Sequence, residues 1–500
     1  MNMSRHVPII ERIREHAHAP ALIDDTGAYD HVDLLSAAQR VAGDLLGAKE
    51  DLAERRVAFM ATPGFDYTAA LLGIWCAGGI AVPLCVQHPA PEIEYVLDDT
   101  QADHILASRE YAARLQALHL AKSCRFQTIH DSLDSESRAL PAVPIDRRAM
   151  ILYTSGTTSR PKGVVTTHRN ISAQIESLIE AWKWSSNDRI LLFLPLHHVH
   201  GIINVLCCSL WAGATCEVLP KFDAQTVWDR LSQGRTTLLM AVPTIYVKLI
   251  AAWNEAGSDR QQLYSQAASK LRVMVSGSAA LPVKVLEQWE SITGQTLLER
   301  YGMTEIGMAL SNPLHGERRP GFVGTPLPGV EIMLADENGL RIEDDREQGE
   351  ICVRGDSVFK EYWANEEATR RAFRDGWFLT GDISLTEGGA YKILGRNSVD
   401  IIKSGGFKIS ALEIEEVLRT HPDIQECAVV GVPDEEWGER VSVMVIPVTG
   451  RSIALEQLRN WAVDKLAKYK IPSRLLVEEE LPRNVMGKVM KPAVRELFER

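Results

Sequence analysis

The stretch that most constrains this chain is Ile151-Leu-Tyr-Thr-Ser-Gly-Thr-Thr-Ser-Arg-Pro-Lys-Gly-Val164, an apolar strand that opens into a hydroxyl- and glycine-rich loop and closes on a lysine. That is the chemistry of a phosphate cradle. Gly156 opens backbone angles closed to other residues, Thr154, Ser155, Thr157 and Thr158 offer short hydroxyl donors, and Lys162 supplies a point charge. The spacing is not that of a P-loop, because neither Gly156 nor Gly163 begins the required pattern. Standing alone, the loop is equally readable as a polar surface turn.

With 500 residues, 45% of them hydrophobic and 24% charged, the chain has room for several packed layers and more than one domain. Its 54 basic against 66 acidic residues give a formal charge of −12, which argues against nucleic acid or an anionic membrane as a partner. An anionic ligand must therefore be met by local charges. The eight cysteines show no Cys-x-x-Cys spacing and suit a reduced compartment as small buried residues. No apolar signal core opens the chain and no run reaches transmembrane length, so a cytoplasmic location is expected.

Residues 1 to about 150 alternate helical periodicity with short apolar runs, a βα pattern that predicts a mainly parallel sheet. Beyond the loop, Ile171, Ile175, Leu178 and Trp182 recur at helical spacing, with Asn170 placed to cap. Next, His197, His198 and His200 follow an apolar strand. They invite a metal, but no carboxylate or cysteine lies at ligand spacing. Two strand-then-turn segments, Leu238 to Lys248 and Leu271 to Ala280, place their turns beyond strand carboxyl ends, where open α/β sheets bind ligands.

Leu298-Glu-Arg-Tyr-Gly-Met-Thr-Glu305 is the second strong motif: Tyr301 can stack on a purine, Thr304 can bond an α-phosphate, and Glu305 can hold magnesium. From about 320 to 396, an Asn338-Gly339 turn between extended runs and Gly349 to Gly355 predict a β-rich subdomain. The last hundred residues predict a small α+β unit. Ser410-Ala-Leu-Glu413 reads as a capping box, strands follow at 427–432 and 441–448, and a second helix lies around 455–466.

In this order the motifs resemble those of the acyl-adenylate-forming enzymes, which include acyl-CoA synthetases, peptide-synthetase adenylation domains and luciferases. Ser159 stands where that family usually has glycine. The resemblance implies an α/β fold: a large N-terminal domain, 1–396, with mainly parallel sheets and a β-rich subdomain, and a small mobile α+β domain, 397–500. It implies ATP, Mg2+ and coenzyme A as cosubstrates. Ser276, Gly277, Ser278 and Ala279 would lie along the adenine, with Arg300, Tyr301 and Gly302 beside the nucleotide. Thr304 and Glu305 would serve the α-phosphate and magnesium, and Asp382 of Thr380-Gly-Asp382 the ribose. Arg396 would reach the ribose at a hinge whose pivot is Ser398 or Val399. Lys488 in Pro482-Arg-Asn-Val-Met-Gly-Lys488 falls on the lysine that contacts the carboxylate during adenylation. Ser404, Gly405, Gly406 and Phe407 resemble the turn where the pantetheine thiol enters, and His198 the histidine that lines the acyl pocket.

The run 299–305, with Pro195 to Gly201, Leu219 to Phe222 and Ser311 to Pro313, closely resembles malonyl-CoA synthetases over nearly the full length. An arginine beside the adenylate, Arg300, can pair with a second carboxylate, whereas against an alkyl chain it would be an uncompensated buried charge. Ser278 and Met303 join it in the acyl pocket on this reading. Lys248 is either a second cation for the distal carboxylate or a helix-surface lysine. The expected activity is formation of malonyl-CoA, with methylmalonate as a possible second acid, by a monomer or homodimer. Two alternatives stay open: if Arg300 only pairs with Glu299 or another acid, a ligase for fatty or other monocarboxylic acids; or an adenylase that loads a free carrier protein.

Overall fold

The computed structural model describes residues 7–119, 124–154, 161–483 and 489–499. Ser155, Gly156, Thr157, Thr158 and Ser159 of the phosphate loop, and Lys488, lie outside the described residues. The chain divides into two compact units: Met1–Pro320 with Gly324–Glu331 and Val353–Phe378, and Gly321–Val323 with Ile332–Cys352 and Leu379–Arg500.

Two sheets organise the first unit. In the seven-stranded sheet, Arg148–Thr154, Ile80–Pro83, Arg56–Met60, His104–Ala107 and Arg125–Thr128 run parallel in that spatial order. Lys162–Thr167 and Glu361–Tyr362 extend it antiparallel at one edge. Strand Ile80–Pro83 is buried at every residue, as a parallel strand covered on both faces must be. Helix Phe65–Cys76 is buried from Tyr67 onward.

The nine-stranded sheet has a parallel centre that includes Leu298–Met303, Val273–Ser276, Leu238–Ala241 and Arg189–Leu192, with antiparallel edges. The turns after Ser276 and Ala241 thus leave the same end of adjacent parallel strands. Helix His168–Trp182 is capped by Thr167 rather than Asn170. Asn170 sits one turn in and returns its amide oxygen to the Thr167 N–H, completing a capping box.

The Asn338-Gly339 turn joins Val330–Ala335 to Arg341–Ile342, and Asp336 gathers the N–H groups of Asn338 and Leu340. The last hundred residues build a five-stranded sheet with helices on both faces. Alternation along Ile424–Asp434 sends Cys427 and Val429 toward Ile414 and Leu458, and Ala428, Val430 and Val432 toward Val494. Ser410 does cap helix Ala411–Leu418, accepting from the Glu413 N–H at 3.2 Å. The capping box stays half formed, because the Glu413 carboxylate turns to Lys470 Nζ at 2.7 Å.

All eight cysteines are free thiols, and all but Cys124 are buried. Among the described residues, no helix is long and apolar enough to cross a membrane.

Candidate active site

Arg300 is 3% exposed, on a strand whose neighbouring residues alternate faces. Glu299 therefore leaves the opposite face, and among the described residues Arg300 makes no ion pair. The structural pairing with Glu299 is thereby excluded. Its Nη2 donates to Ser278 Oγ at 3.3 Å, while Nε and Nη1 are buried with no hydrogen-bond partner among the described residues. Burial pulls its pKa down to about 9, which leaves it charged at neutral pH.

Ser278 Oγ also lies 3.3 Å from His200 Nδ1. Either atom can donate in this contact, because a hydroxyl that accepts from Arg300 has a second lone pair as well as its own hydrogen. Nε2 is buried and unpartnered as well. Burial, then the Arg300 charge, holds His200 well below its ordinary pKa, so the ring is neutral. Among the described residues, two buried guanidinium donors thus lack an acceptor beside the imidazole, a configuration that favours an anion.

Local backbone geometry sets this cluster. Ser278 takes a left-handed φ of 69° in the turn from which its hydroxyl meets Arg300. His200 opens the π-helix His200–Cys207, a rare turn that frequently marks functional sites. Sequence reasoning gave a pocket role to His198 and none to His200, although all three histidines were visible. His198 lies outside the π-helix, its ring centroid 4.2 Å from that of His197. Burial and neighbouring imidazoles lower His197 to about 3 and His198 to about 4.

Lys248 is solvent-exposed on helix Pro243–Glu255, its ammonium 5.9 Å from the Phe222 ring. This is the helix-surface alternative. Ser276 is fully buried at the end of its strand with its hydroxyl unpartnered, and Ala279 is exposed in the turn that follows. Tyr301, Gly302, Met303 and Thr304 are all half-buried in the hairpin with Gly307–Ser311.

Lys162 begins the strand that leaves the phosphate loop, in register with Thr154 across it. Its Nζ stands 4.8 Å from the centroid of the Tyr362 ring. The Tyr362 hydroxyl donates to Glu305 Oε1 at 3.1 Å, and the Phe359 N–H to the Glu305 carbonyl at 2.7 Å. No three His, Cys, Asp or Glu residues converge to hold a metal among the described residues. A metal caged by protein ligands does not fit there; magnesium brought by nucleotide phosphates does, since one carboxylate suffices for it.

In the second unit, Asp382 is 7% exposed and receives Arg396 Nε at 3.2 Å. Thr380 Oγ1 accepts from the Asp382 N–H, and Glu350 Oε1 from the Gly381 N–H, which fixes the turn. The Arg396 N–H donates to Asp400, which Lys491 Nζ also holds at 2.6 Å. Gly405 and Gly406 both take left-handed φ, and exposed Phe407 stacks on Tyr469 at 4.3 Å.

Residues 10–363 match the family model of AMP-binding enzymes, and residues 413–488 that of the AMP-binding enzyme C-terminal domain. The human mitochondrial malonate–CoA ligase is 44% identical, over 98% of this chain and 92% of the human protein. The malonate–CoA ligase of Arabidopsis thaliana is 42% identical, over 89% of this chain and 78% of the plant protein. The solved structure of ATP-bound MatB from Rhodopseudomonas palustris superposes with a TM-score of 0.89 at 32% identity and covers 99% of both chains. A malonyl-CoA ligase solved with methylmalonyl-CoA and AMP gives 0.70 at 34% identity, over 94% of this chain and 97% of that one. By its motifs, its fold and these matches, the chain belongs to the AMP-binding family of adenylate-forming enzymes, as an AMP-forming acyl-CoA synthetase.

Proposed function

We propose that this enzyme joins malonate to coenzyme A, consuming ATP and releasing AMP and pyrophosphate. The observation that carries the reading is Arg300, buried and charged, with two guanidinium nitrogens unpartnered beside neutral His200. A planar fork of donors suits a carboxylate bidentately, and an alkyl chain would leave that charge uncompensated. The malonate ligases among its relatives support the same acid.

One malonate carboxylate rests on Arg300 and His200, which leaves the other to react. Its oxygen attacks the α-phosphorus of ATP, and the bond from that phosphorus to the bridging oxygen breaks. Acyl-adenylate and pyrophosphate result. Lys162 offsets phosphate charge, Thr304 bonds the α-phosphate, and Lys488 draws the reacting carboxylate toward it. Glu305 would hold the magnesium that arrives with ATP, whose charge neutralises the phosphates. Asp382 would take the ribose hydroxyls.

In the second step the coenzyme A sulfur attacks the acyl carbon, and the carbon–oxygen bond to AMP breaks with its electron pair on AMP. Ser404, Gly405, Gly406 and Phe407 would guide the pantetheine arm, and rotation of 397–500 would exchange them for Lys488 between the half-reactions. Methylmalonate keeps both carboxylates, so it is expected to be a second substrate.

The test is pyrophosphate release with malonate, methylmalonate, acetate, succinate and octanoate, with and without coenzyme A, and identification of the thioester by mass. Malonyl-CoA as the preferred product supports the proposal. Preference for octanoate or acetate refutes the role of Arg300, and adenylate without thioester refutes coenzyme A as acceptor.

A further inference from the structure

Tyr362 has no part in the mechanism above, yet it touches two of its groups at once. Its ring face carries the Lys162 ammonium, and its hydroxyl donates to Glu305. It is 8% exposed, at the edge of the seven-stranded sheet, in register with Val164 on the strand that leaves the phosphate loop. Its surroundings fix the ring from several sides. Phe359 packs against it edge-on at 4.8 Å, and Phe359 is itself stacked on Phe373. The Tyr362 N–H donates to Thr369 Oγ1, and the neighbouring Trp363 N–H to the Gly163 carbonyl. Glu361, one residue earlier, pairs with Arg148 at the start of the strand that enters the loop.

A lysine and a carboxylate that meet the same side chain attract one another, and an ion pair between them would remove both from the nucleotide. The ring face and the hydroxyl are separate positions on one rigid group. We infer that Tyr362 is a positioning residue: it keeps the Lys162 cation and the Glu305 carboxylate apart and oriented, the first for triphosphate and the second for its magnesium. The inference rests on the roles proposed for Lys162 and Glu305.

The two contacts separate by substitution. Tyr362→Phe keeps the ring face and removes the hydroxyl; Tyr362→Leu removes both. The experiment is calorimetric titration of ATP, without malonate or coenzyme A so that no turnover occurs, once with excess Mg2+ and once with EDTA. Thermal unfolding of each variant is followed alongside. Tyr362→Phe is expected to bind ATP in EDTA as the wild type does, and to lose about tenfold of the tightening that Mg2+ gives, the size of one charge-assisted hydrogen bond. Tyr362→Leu is expected to weaken ATP in EDTA as well. Glu305→Gln and Lys162→Ala serve as references. If those two bind normally in both media, the proposed roles of Lys162 and Glu305 fail. If they are impaired while Tyr362→Phe keeps the wild-type magnesium effect, the inference about Tyr362 is overturned. It is overturned equally if Tyr362→Phe weakens binding by the same factor in both media.

Discussion

The Arg300 guanidinium lies flat against the backbone at Gly277: a Cβ there would stand 2.5 Å from its Cζ and 2.6 Å from Nε and Nη1. Glycine is therefore required at 277 for space, since its φ is not in the left-handed region. Gly277→Ala must push the guanidinium aside, and a shift of about 1 Å can cost on the order of 100-fold. The expected result is a malonate KM raised at least tenfold in a protein whose thermal midpoint is little changed. An unaltered KM would mean that Arg300 does not hold the substrate.

Arg300 also sets stability against activity. Among the described residues no counter-ion meets its buried charge, so replacing it with a volume-matched apolar residue removes an unpaid desolvation cost. Arg300→Met is expected to stabilise the ligand-free enzyme by on the order of 1 kcal/mol in urea unfolding. Malonate-dependent pyrophosphate release should fall by about 100-fold, as loss of a bidentate charged pair implies. A variant that is both less stable and fully active on malonate would contradict the anion site.

Lys248 provides the contrast. An exposed ammonium is already solvated and interacts weakly with a substrate carboxylate. Lys248→Ala should change the malonate KM by less than about twofold. A tenfold rise would reinstate it as the second cation.

Much of the fold was legible because it depends on local pattern: apolar runs set the parallel strands, and glycine turns their ends. Arg300 stood out because the resemblance placed it beside the adenylate, where a charge facing an alkyl chain would be uncompensated. His200 did not, since only the π-helix distinguishes it from His197 and His198. Tyr362 was invisible for another reason: its role arises from pairing with a strand far away in sequence and from Glu305 in a separate motif. Caps were read to within one turn. Asn170 and Glu413 each had a second option, Thr167 as the cap for the first and Lys470 as an ion-pair partner for the second, and nearest-neighbour rules do not weigh such options.

Buried neutral histidines give the enzyme a definite response to acid. Burial lowers His168 to about 3, His197 to about 3 and His198 to about 4, from an ordinary 6.5. Between pH 6.5 and about 4 the unfolded chain binds protons that the folded chain refuses, so stability must fall as pH falls through that window and level off above it. Carboxylates held low, such as Asp30, begin to lose their contribution near pH 5, and Glu176, which burial raises, acts with the opposite sign, so the histidine effect is read above about pH 5. The urea midpoint should be flat from pH 8 to 7 and decline toward pH 5. His168 is the residue to isolate. Its ring meets Trp75 edge-on at 5.8 Å with Nε2 buried and unpartnered, and it stands apart from the residues assigned to malonate. His168→Phe keeps the ring and removes the titration, so its midpoint should decline less steeply than the wild type's. Equal slopes in the two proteins would show that His168 takes up its proton in the folded state, contrary to its burial.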